Sequence, residues 1–361
     1  MENLVTIKAL PTFFKGKKVF VTGHTGFKGS WLCAWLHSMG AHVTGYALPP
    51  QYSQSLYSLL QPLHLFTDIN ADIRDTEKLQ QVINDLQPDY VFHLAAQPLV
   101  RRSYQIPAET FDVNVTGTAN VLEAVNNLPG KCSVVVITTD KVYENKEDGS
   151  LFKEDDTLSG HDPYSASKAA ADIVVKSFQR SFFHSGQNDI SRKSLASARA
   201  GNVIGGGDWS EDRIMPDIIR SLLNDKVISV RNPSAIRPWQ HVLEPLAGYL
   251  LLAAQLNEHP TKFSTAFNFG PHPHDHLEVK NFVSEAIACW GKGEWKDVSL
   301  PNQLHEANVL KLDISKAKNQ LGWIPKLTAQ EAIKWTIDWY KHPKDEQADF
   351  SFRQIEKFIS L

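Results

Sequence analysis

The sequence has few cysteines, no large excess of charge of either sign and no long apolar run. Its 361 residues include three cysteines, and the formal net charge is -3. Cys33, Cys132 and Cys289 are too scattered for a disulfide framework, so we expect reduced thiols and a cytoplasmic protein. The small net charge gives no indication of a nucleic-acid or membrane partner.

The apolar runs are short. The N-terminus lacks the apolar core of a secretory signal peptide, and the longest apolar helical stretch, Leu246 to Leu256, is too short to span a bilayer. We find no internal repeat and no low-complexity tract. A chain of this length with 42% hydrophobic residues can form one large or two moderate soluble domains.

Short β-rich runs alternate with helical segments from Lys17 to about Val203. This alternation predicts an α/β fold, a Rossmann-type doubly wound parallel sheet covered by helices on both faces. After Gly205, proline and glycine interrupt the helices, which indicates a smaller C-terminal domain that binds substrate. We expect one domain over 14–204, with segments near 239–270 returning to it, and 205–361 forming mainly the second domain.

Three glycines mark the end of the first predicted strand. Gly23, Gly26 and Gly29 lie three apart, in the order needed for a sharp turn, a close approach to phosphate, and packing of helix on strand. The following helix would offer free N–H groups to a pyrophosphate. The same glycines could serve the turn alone. We assign the intervening Thr25 and Phe27 with them to a dinucleotide site.

Other strand ends extend this site. Asp72 and Ile73 follow the third strand, where an adenine ring would lie, and Leu94, Ala95 and Ala96 close the fourth with room for ribose and phosphates. Core packing is the alternative interpretation of the two alanines. The second strand ends in GYALPP, without the acid that usually binds the adenine ribose, and no arginine pair replaces it. We therefore predict NAD, with NADP left open, held more loosely than usual.

Tyr164 and Lys168 form a Tyr-x-x-x-Lys pair in PYSASK, four residues apart on a predicted helix. Residues at this spacing share a helix face. We expect the ammonium of Lys168, with an oxidised nicotinamide, to lower the tyrosine pKa from about 10 towards working pH. The phenolate would then take a proton from a sugar hydroxyl. An exposed pair without function is the alternative.

The run ITTDKVY ends the fifth predicted strand with Thr139, Asp140 and Lys141. Ligands bind open α/β sheets at such strand ends, although a turn with a solvated ion pair would have the same sequence. Asn114 lies in a helix that is otherwise apolar on one face. It could satisfy backbone groups or hold a water near Lys168.

These motifs, together with HLAAQ and the tail LDISKAKNQLGWIP, resemble the extended short-chain dehydrogenase/reductase family over nearly the whole chain. TTDKVY is similar to the sugar-nucleotide 4,6-dehydratases of that family, and GYAL with RPWQHV resembles those that use CDP-glucose. The resemblance implies a Rossmann domain, bound NAD and a role in deoxysugar biosynthesis for surface polysaccharide. It also implies a homodimer through the two long helices that contain Asn114 and Tyr164.

The reaction that the resemblance implies has no net redox change. Tyr164 would deprotonate the glucose 4-hydroxyl as hydride passes to NAD, with Thr139 hydrogen-bonded to that hydroxyl. Asp140, which must stay protonated for this task, would protonate the departing C6 hydroxyl before the hydride returns to C6. Lys141 stands where many relatives carry a glutamate as the C5 base. We expect it to act as a neutral base or to stabilise the enolate.

The nucleotide sugar needs cationic and hydrogen-bonding partners from the second domain. We predict Asn202, Arg213 and Arg237 for the pyrophosphate and the sugar, because guanidinium groups suit phosphate. Gln97 and Arg101 are weaker candidates.

The histidines of HPHDH could share a strand face and bind a metal. No second ligand motif accompanies them, so we predict a polar loop and no metal site.

Two alternatives stay open at this stage. One is an NAD-dependent UDP- or GDP-sugar epimerase or dehydratase of the same family. The other is a catalytically silent dinucleotide-binding protein, which would have no reason to combine Thr139, Tyr164 and Lys168.

Overall fold

A computed structural model describes residues 4–145, 147–183, 193–299 and 310–361. The α-helices are α1 Pro11–Phe14, α2 Phe27–Ser38, α3 Leu56–Leu60, α4 Thr76–Leu86, α5 Val100–Gln105, α6 Pro107–Phe111, α7 Gly117–Asn126, α8 Pro163–Ser181, α9 Ile214–Leu223, α10 Leu243–Glu258, α11 Pro260–Phe263, α12 Val279–Trp290, α13 Ala329–Lys341 and α14 Gln347–Ser360. The strands are β1 Lys18–Thr22, β2 His42–Ala47, β3 Thr67–Asn70, β4 Tyr90–His93, β5 Cys132–Ile137, β6 Lys193–Ala200, β7 Val203–Ile204, β8 Ile228–Val230, β9 Ile236–Arg237, β10 Gln240–His241, β11 Ala266–Phe269, β12 Leu277–Glu278 and β13 Trp295–Asp297.

Seven strands form one parallel sheet in the order β11-β6-β5-β4-β1-β2-β3. The predicted doubly wound Rossmann-type sheet is therefore confirmed. The order reverses between β1 and β4, and ligands bind open α/β sheets at such a switch point.

The sheet is buried on both faces. Along β1, Val19 and Val21 belong to one apolar cluster, whereas Phe20 belongs to the other. Because successive strand residues point to opposite faces, these clusters lie on the two sides of the sheet. Leu250 of α10 belongs to the first cluster and Val121 of α7 to the second.

The chain from Val203 onwards forms three two-stranded pairs, β7 with β10, β8 with β13, and β9 with β12. It also returns to the large sheet, because β11 pairs with β6 as an edge strand. The C-terminal helix α14 packs on α2, where the rings of Trp35 and Phe358 lie 5.8 Å apart. The predicted division into two domains at residue 205 stays a prediction. Strand β11 and helix α14 both come from the second part of the chain and pack on the first.

Among the described residues, no helix combines the length and apolarity that crossing a membrane requires. The HPHDH histidines fall in the irregular segment between β11 and β12. No cluster of metal-binding side chains occurs within the described ranges.

Candidate active site

A cavity of about 1300 Å³ opens at the C-terminal ends of the parallel strands. Loops that follow β1 to β6 form one wall, and residues after Ile204 form the other. The sequence-predicted residues that line it are Gly23, Thr25, Gly26, Phe27, Gly29, Asp72, Ile73, Leu94, Ala95, Ala96, Gln97, Arg101, Thr139, Asp140, Lys141, Tyr164, Lys168, Asn202, Arg213 and Arg237. Residues that are distant in the sequence therefore line the same cavity.

The loop from Gly23 to Gly29 brings main-chain atoms close together and leaves them uncovered by side chains at the glycines. Gly23 has φ +76°, and a Cβ there would lie 2.7 Å from the Ala95 nitrogen. A Cβ on Gly29 would lie 2.2 Å from the Gly23 oxygen, so α2 packs against the turn itself. Gly26 precedes α2 and meets no atom closer than 3.3 Å at its Cβ position. The open approach to the helix N-terminus fits a dinucleotide pyrophosphate.

Ion pairs fix the acidic side chains near the predicted adenine-binding end of the cavity. Asp72 accepts a hydrogen bond from the Arg74 guanidinium, Nη2 to Oδ2 at 2.7 Å, and this contact lowers the pKa of Asp72. Asp68 of β3 is engaged by the imidazole of His24 at 2.7 Å and by the hydroxyl of Tyr57. It therefore does not replace the acid that is missing from the end of β2.

Thr139 and Asp140 follow β5 directly. The Thr139 hydroxyl donates to Oδ1 of Asp140 at 2.9 Å, and the Lys141 ammonium lies 3.8 Å from the same oxygen. Asp140 is 1% exposed, and its Oδ2 has no hydrogen-bond partner among the described residues. A Cβ on Gly201 would lie 2.9 Å from that oxygen, so the glycine leaves it room.

Tyr164 and Lys168 lie in the first turns of α8. The Lys168 ammonium donates to the Ile137 carbonyl at 2.8 Å, and burial lowers its pKa to about 8 while Asp172 opposes the change. Burial raises the pKa of Tyr164 to about 12, although Arg213 and a hydrogen bond with Thr139 lower it.

Without a cofactor, burial therefore favours the neutral phenol, and the predicted lowering of the tyrosine pKa, which also counted on the charge of an oxidised nicotinamide, stays a prediction. Desolvation of the phenol outweighs the neighbouring positive charge, and the cation that acts on Tyr164 is Arg213, a residue of the opposite wall.

Asn114 is buried and does not itself line the cavity, and its assignment to the reaction centre stays a prediction. It belongs to a π-helical segment, Asp112–Thr116, where its amide accepts from the Gln97 N–H at 2.8 Å and donates to the Ser167 hydroxyl at 2.8 Å. The side-chain amide of Gln97 donates to Thr110 and Leu99 and accepts from Leu99. Both residues therefore fix the wall that carries Tyr164.

Of the predicted substrate ligands, Arg213 and Arg237 come from the opposite wall. Arg213 immediately precedes α9, and Arg237 donates to the Ile236 carbonyl at 3.0 Å. Asn202 follows β6, and its carbonyl accepts from Gln240. Arg101 is more exposed and pairs with Asp212 at 3.3 Å at the rim.

Sequence reasoning missed Lys28, the second residue of α2, which lines the cavity. Burial lowers its pKa to about 7, and the charge of Arg213 lowers it further while Asp140 opposes both. The available signal was a lysine between Gly26 and Gly29, where the helix packs closely on the turn.

Sequence reasoning also missed Tyr249 of α10. Its buried hydroxyl has no hydrogen-bond partner within the described chain, and burial, with the charges of Tyr164 and Asp140, raises its pKa. No signal marks this residue within its apolar run.

Comparison with known proteins places the chain in a family. The family model described as GDP-mannose 4,6 dehydratase matches residues 20–336, so the chain belongs to that family of sugar-nucleotide dehydratases. The chain is 47% identical over 329 residues to the CDP-glucose 4,6-dehydratase of Salmonella typhimurium, covering 91% of this chain and 92% of the relative. The CDP-paratose 2-epimerase of Salmonella typhi is 25% identical, covering 89% of this chain and 98% of that relative.

Solved structures bear out the fold. A dTDP-glucose 4,6-dehydratase from Streptomyces venezuelae, with NAD bound, superposes with a TM-score of 0.75 at 21% identity, covering 90% of this chain and 97% of that one. The predicted family resemblance is confirmed by the family match, and the predicted fold by this superposition.

Proposed function

We propose that the protein is a CDP-glucose 4,6-dehydratase, a hydro-lyase that converts CDP-D-glucose to CDP-4-dehydro-6-deoxy-D-glucose and water. The observation that carries the proposal is the 47% identity to a CDP-glucose 4,6-dehydratase across 91% of the chain. The cavity supports it, because a phenol, a carboxyl group and an amine meet at one end of the sheet.

The backbone cradle of Gly23, Gly26 and Gly29 would hold the pyrophosphate of NAD, and Ala95 and Ala96 would leave room for its ribose. NAD, when bound, takes a hydride from sugar C4 and returns it to C6. The residues of the cavity would hold the nicotinamide and the sugar in place for both transfers, and such positioning lowers the entropic part of the barrier.

The proposed roles of the chain's own groups follow from their contacts. Tyr164 accepts the proton of the sugar 4-hydroxyl, with Thr139 hydrogen-bonded beside it. Asp140 protonates the C6 oxygen as water leaves, which its unpartnered Oδ2 permits. Lys141 removes the C5 proton once the adjacent ketone has acidified it. Lys168, buried and bonded to Ile137, orients the nicotinamide ribose.

Arg213 and Arg237 of the second wall, together with Asn202 after β6, would bind the diphosphate and sugar, because the substrate carries two phosphate charges. Arg213 has a second effect, since its charge acts on Tyr164 and Lys28. The diphosphate would screen this charge when substrate binds.

We also propose a homodimer through α8 and the continuous helical stretch α6–α7. Large apolar side chains are exposed on these helices, with Ile173 at 57%, Phe182 at 54% and Phe111 at 39%. The cysteines Cys33, Cys132 and Cys289 are unpaired, which supports the predicted cytoplasmic location.

Incubation with NAD and CDP-glucose tests the proposal. Mass spectrometry should show a product lighter by one water, with the ultraviolet absorbance of a 4-ketone in alkali. A galacto product of unchanged mass would indicate an epimerase instead. Tight NAD binding without turnover of CDP-, UDP- or GDP-sugars would indicate a binding protein.

A further inference from the structure

A fully buried ion pair lies behind the cavity wall. Arg199 of β6 and Asp172 of α8 are both 0% exposed, and the guanidinium donates from Nε to Oδ2 of Asp172 at 3.0 Å. Within the described chain, neither side chain lines the cavity. Burial of two charges sacrifices their hydration, and apolar residues of similar volume often stabilise a fold equally well. Stability alone therefore does not account for an ion pair at this place.

Asp172 joins helix α8 to the end of strand β5. Its Oδ2 also accepts a hydrogen bond from the Thr138 hydroxyl at 3.0 Å. One turn earlier on α8, the Lys168 ammonium donates to the Ile137 carbonyl at 2.8 Å. Because residues four apart share a helix face, two adjacent contacts fix this face of α8 to two consecutive residues of the chain, Ile137 and Thr138.

Arg199 extends this connection to the loop that follows β5. Its Nη1 donates to the Tyr143 hydroxyl at 2.8 Å and to the Glu154 carbonyl at 3.0 Å. The Tyr143 hydroxyl donates in turn to Oδ1 of Asn268 on β11 at 2.6 Å. The Tyr143 ring stacks on Phe152 with the centroids 5.0 Å apart, and both residues line the cavity. One guanidinium therefore holds an aromatic part of the cavity wall against the sheet.

We propose that Arg199 and Asp172 are positioning residues of the reaction, which set the placement of three segments relative to one another. These segments are the end of β5, the start of α8 and the aromatic wall of Tyr143 and Phe152. The proposal rests on the proposed function, in which the first two segments carry the groups that act on the sugar.

The chemistry of the two side chains suits this role. A guanidinium donates in several fixed directions from one plane, so Arg199 can bond to Asp172 and Tyr143 at the same time. A lysine ammonium on a flexible chain lacks this fork. The proposed reaction needs hydride transfer at two carbons of one sugar, and a displacement of about 1 Å can lower a rate by about 10²-fold.

The first test is Arg199→Lys, which keeps a positive charge beside Asp172 but loses the fork. In the NAD-loaded protein, we expect kcat for CDP-glucose to fall by about 10- to 100-fold, the cost of a misplaced group. KM and the dissociation constant of NAD, measured by calorimetric titration, should stay at their wild-type values, because neither side chain lines the cavity. A wild-type kcat would overturn the proposal, and so would equal losses in kcat and in both binding constants.

The second test removes both charges together, in the double variant Arg199→Met with Asp172→Leu. Apolar replacement of a whole buried pair is tolerated better than removal of one partner, which leaves an uncompensated charge. We expect a folded protein with a lowered kcat and an unchanged KM. A folded double variant with the wild-type kcat would show that the pair only fills the interior. If the double variant does not fold, Arg199→Lys alone decides.

A matched control separates positioning from a general loss of stability. Ile355→Ala truncates a buried residue of α14 and should lower the melting temperature while leaving kcat unchanged. If Ile355→Ala lowers kcat as much as Arg199→Lys at a similar melting temperature, the effect follows stability and the proposal is wrong.

Hydrogen exchange of the cofactor-free protein provides a readout that is independent of activity. The amides of Glu144 and Ser159 bond within the loop after β5, to the carbonyls of Thr157 and Val142. Peptides that contain them should exchange faster in Arg199→Lys than in the wild type or in Ile355→Ala. Unchanged exchange would show that Arg199 does not hold the loop. Wild-type protein that releases no water from CDP-glucose would instead refute the proposed function, and this measurement would still test the loop.

Discussion

The ionisation of each site residue depends on a competition between burial and neighbouring charge. Burial has the largest effect on the pKa values of Tyr164, Lys168 and Lys28. It raises the pKa of the phenol and lowers those of the two amines, so it favours the neutral form of each group. The two lysines thereby reach values of about 8 and about 7. Neutral amines are available near working pH in a cavity that also holds a carboxylate.

Lys141 is the proposed C5 base, and its substitution separates the steps of the reaction. Lys141→Met should keep the reduction of bound NAD by CDP-glucose but lower water release by about 10²- to 10⁴-fold, the range for losing a general base. Deuterium exchange at C5, followed by mass spectrometry, should fall in parallel. The matched control is Lys153→Met, at an exposed lysine. Normal exchange in Lys141→Met would assign the C5 proton to another group.

Lys28 should lower the free energy of unfolding at neutral pH, because burial disfavours its charged form. Its pKa falls from 10.5 to about 7 on folding, so the unfolded chain binds more protons between these values and stability should rise with pH across that window. Lys28→Met should therefore raise the melting temperature most at or below about pH 7, with the gain shrinking towards pH 10.5. Calorimetry across this range checks it, with exposed Lys226→Met as control. A gain that does not change with pH would contradict the assignment.

Two glycines in the turn from β1 into α2 should have different roles, Gly29 in packing and Gly26 in phosphate binding. Gly29→Ala would place a Cβ 2.2 Å from the Gly23 carbonyl, and backbone cannot yield there without moving the helix. We expect it to destabilise the protein by about 1–3 kcal/mol, as overpacking does.

Gly26→Ala is the matched variant of that turn. Its φ of -81° suits alanine, and its Cβ would lie 3.3 Å from the Gly23 oxygen, a far milder contact than at Gly29, so the loss of stability should be much smaller while the methyl group obstructs the approach of a phosphate. Calorimetric titration with NAD and denaturant unfolding distinguish the two variants. Equal loss of stability in both would refute this division of roles.

Helix α10 joins the C-terminal tail to the sheet through a buried acid. Glu244 is 1% exposed, and its Oε1 accepts the N–H groups of Lys326 at 2.8 Å and Leu327 at 2.7 Å. Burial raises its pKa from 4.5 to about 8, even though these bonds oppose the shift.

The native state therefore binds more protons at Glu244 than the unfolded chain between pH 4.5 and about 8, and stability should fall as pH rises through that window. Glu244→Gln imitates the protonated acid, so the variant should match the wild type near pH 4.5 and exceed it above about pH 8. Denaturant unfolding at several pH values measures the difference. Parallel pH profiles for the two proteins would contradict this expectation.

At the scale of the whole molecule, the proposed dimer rests on apolar surface. Ile173→Glu should convert the dimer to a monomer, because a buried unpaired charge at an interface costs several kcal/mol. Leu223→Glu is the control, since Leu223 is similarly exposed at 52% but lies on α9. Light scattering after size exclusion gives the masses. A dimer that survives Ile173→Glu would place the interface elsewhere.

Much of the architecture could be predicted because its signals are local. Alternating apolar runs and helical segments indicated the parallel sheet, and the glycine spacing indicated the turn into α2. TTDK and PYSASK indicated the strand end and helix start that meet at the cavity. The sequence did not reveal the contacts of Asn114 with Gln97 and Ser167, or the extent to which burial raises the pKa of Tyr164. Both depend on neighbours that no spacing in the chain reveals.

The sequence by itself therefore determined the sheet, the family and the residue types that meet at the strand ends, because periodicity and motifs are properties of neighbouring residues. Only the tertiary structure decided which groups share the cavity and how each one ionises. Desolvation and charge act through space, so the charge of Arg213 lowers the pKa of Tyr164 and the charge of Asp140 raises that of Lys28. Packing also joins distant segments, since α14 at the C-terminus contacts α2 near the N-terminus.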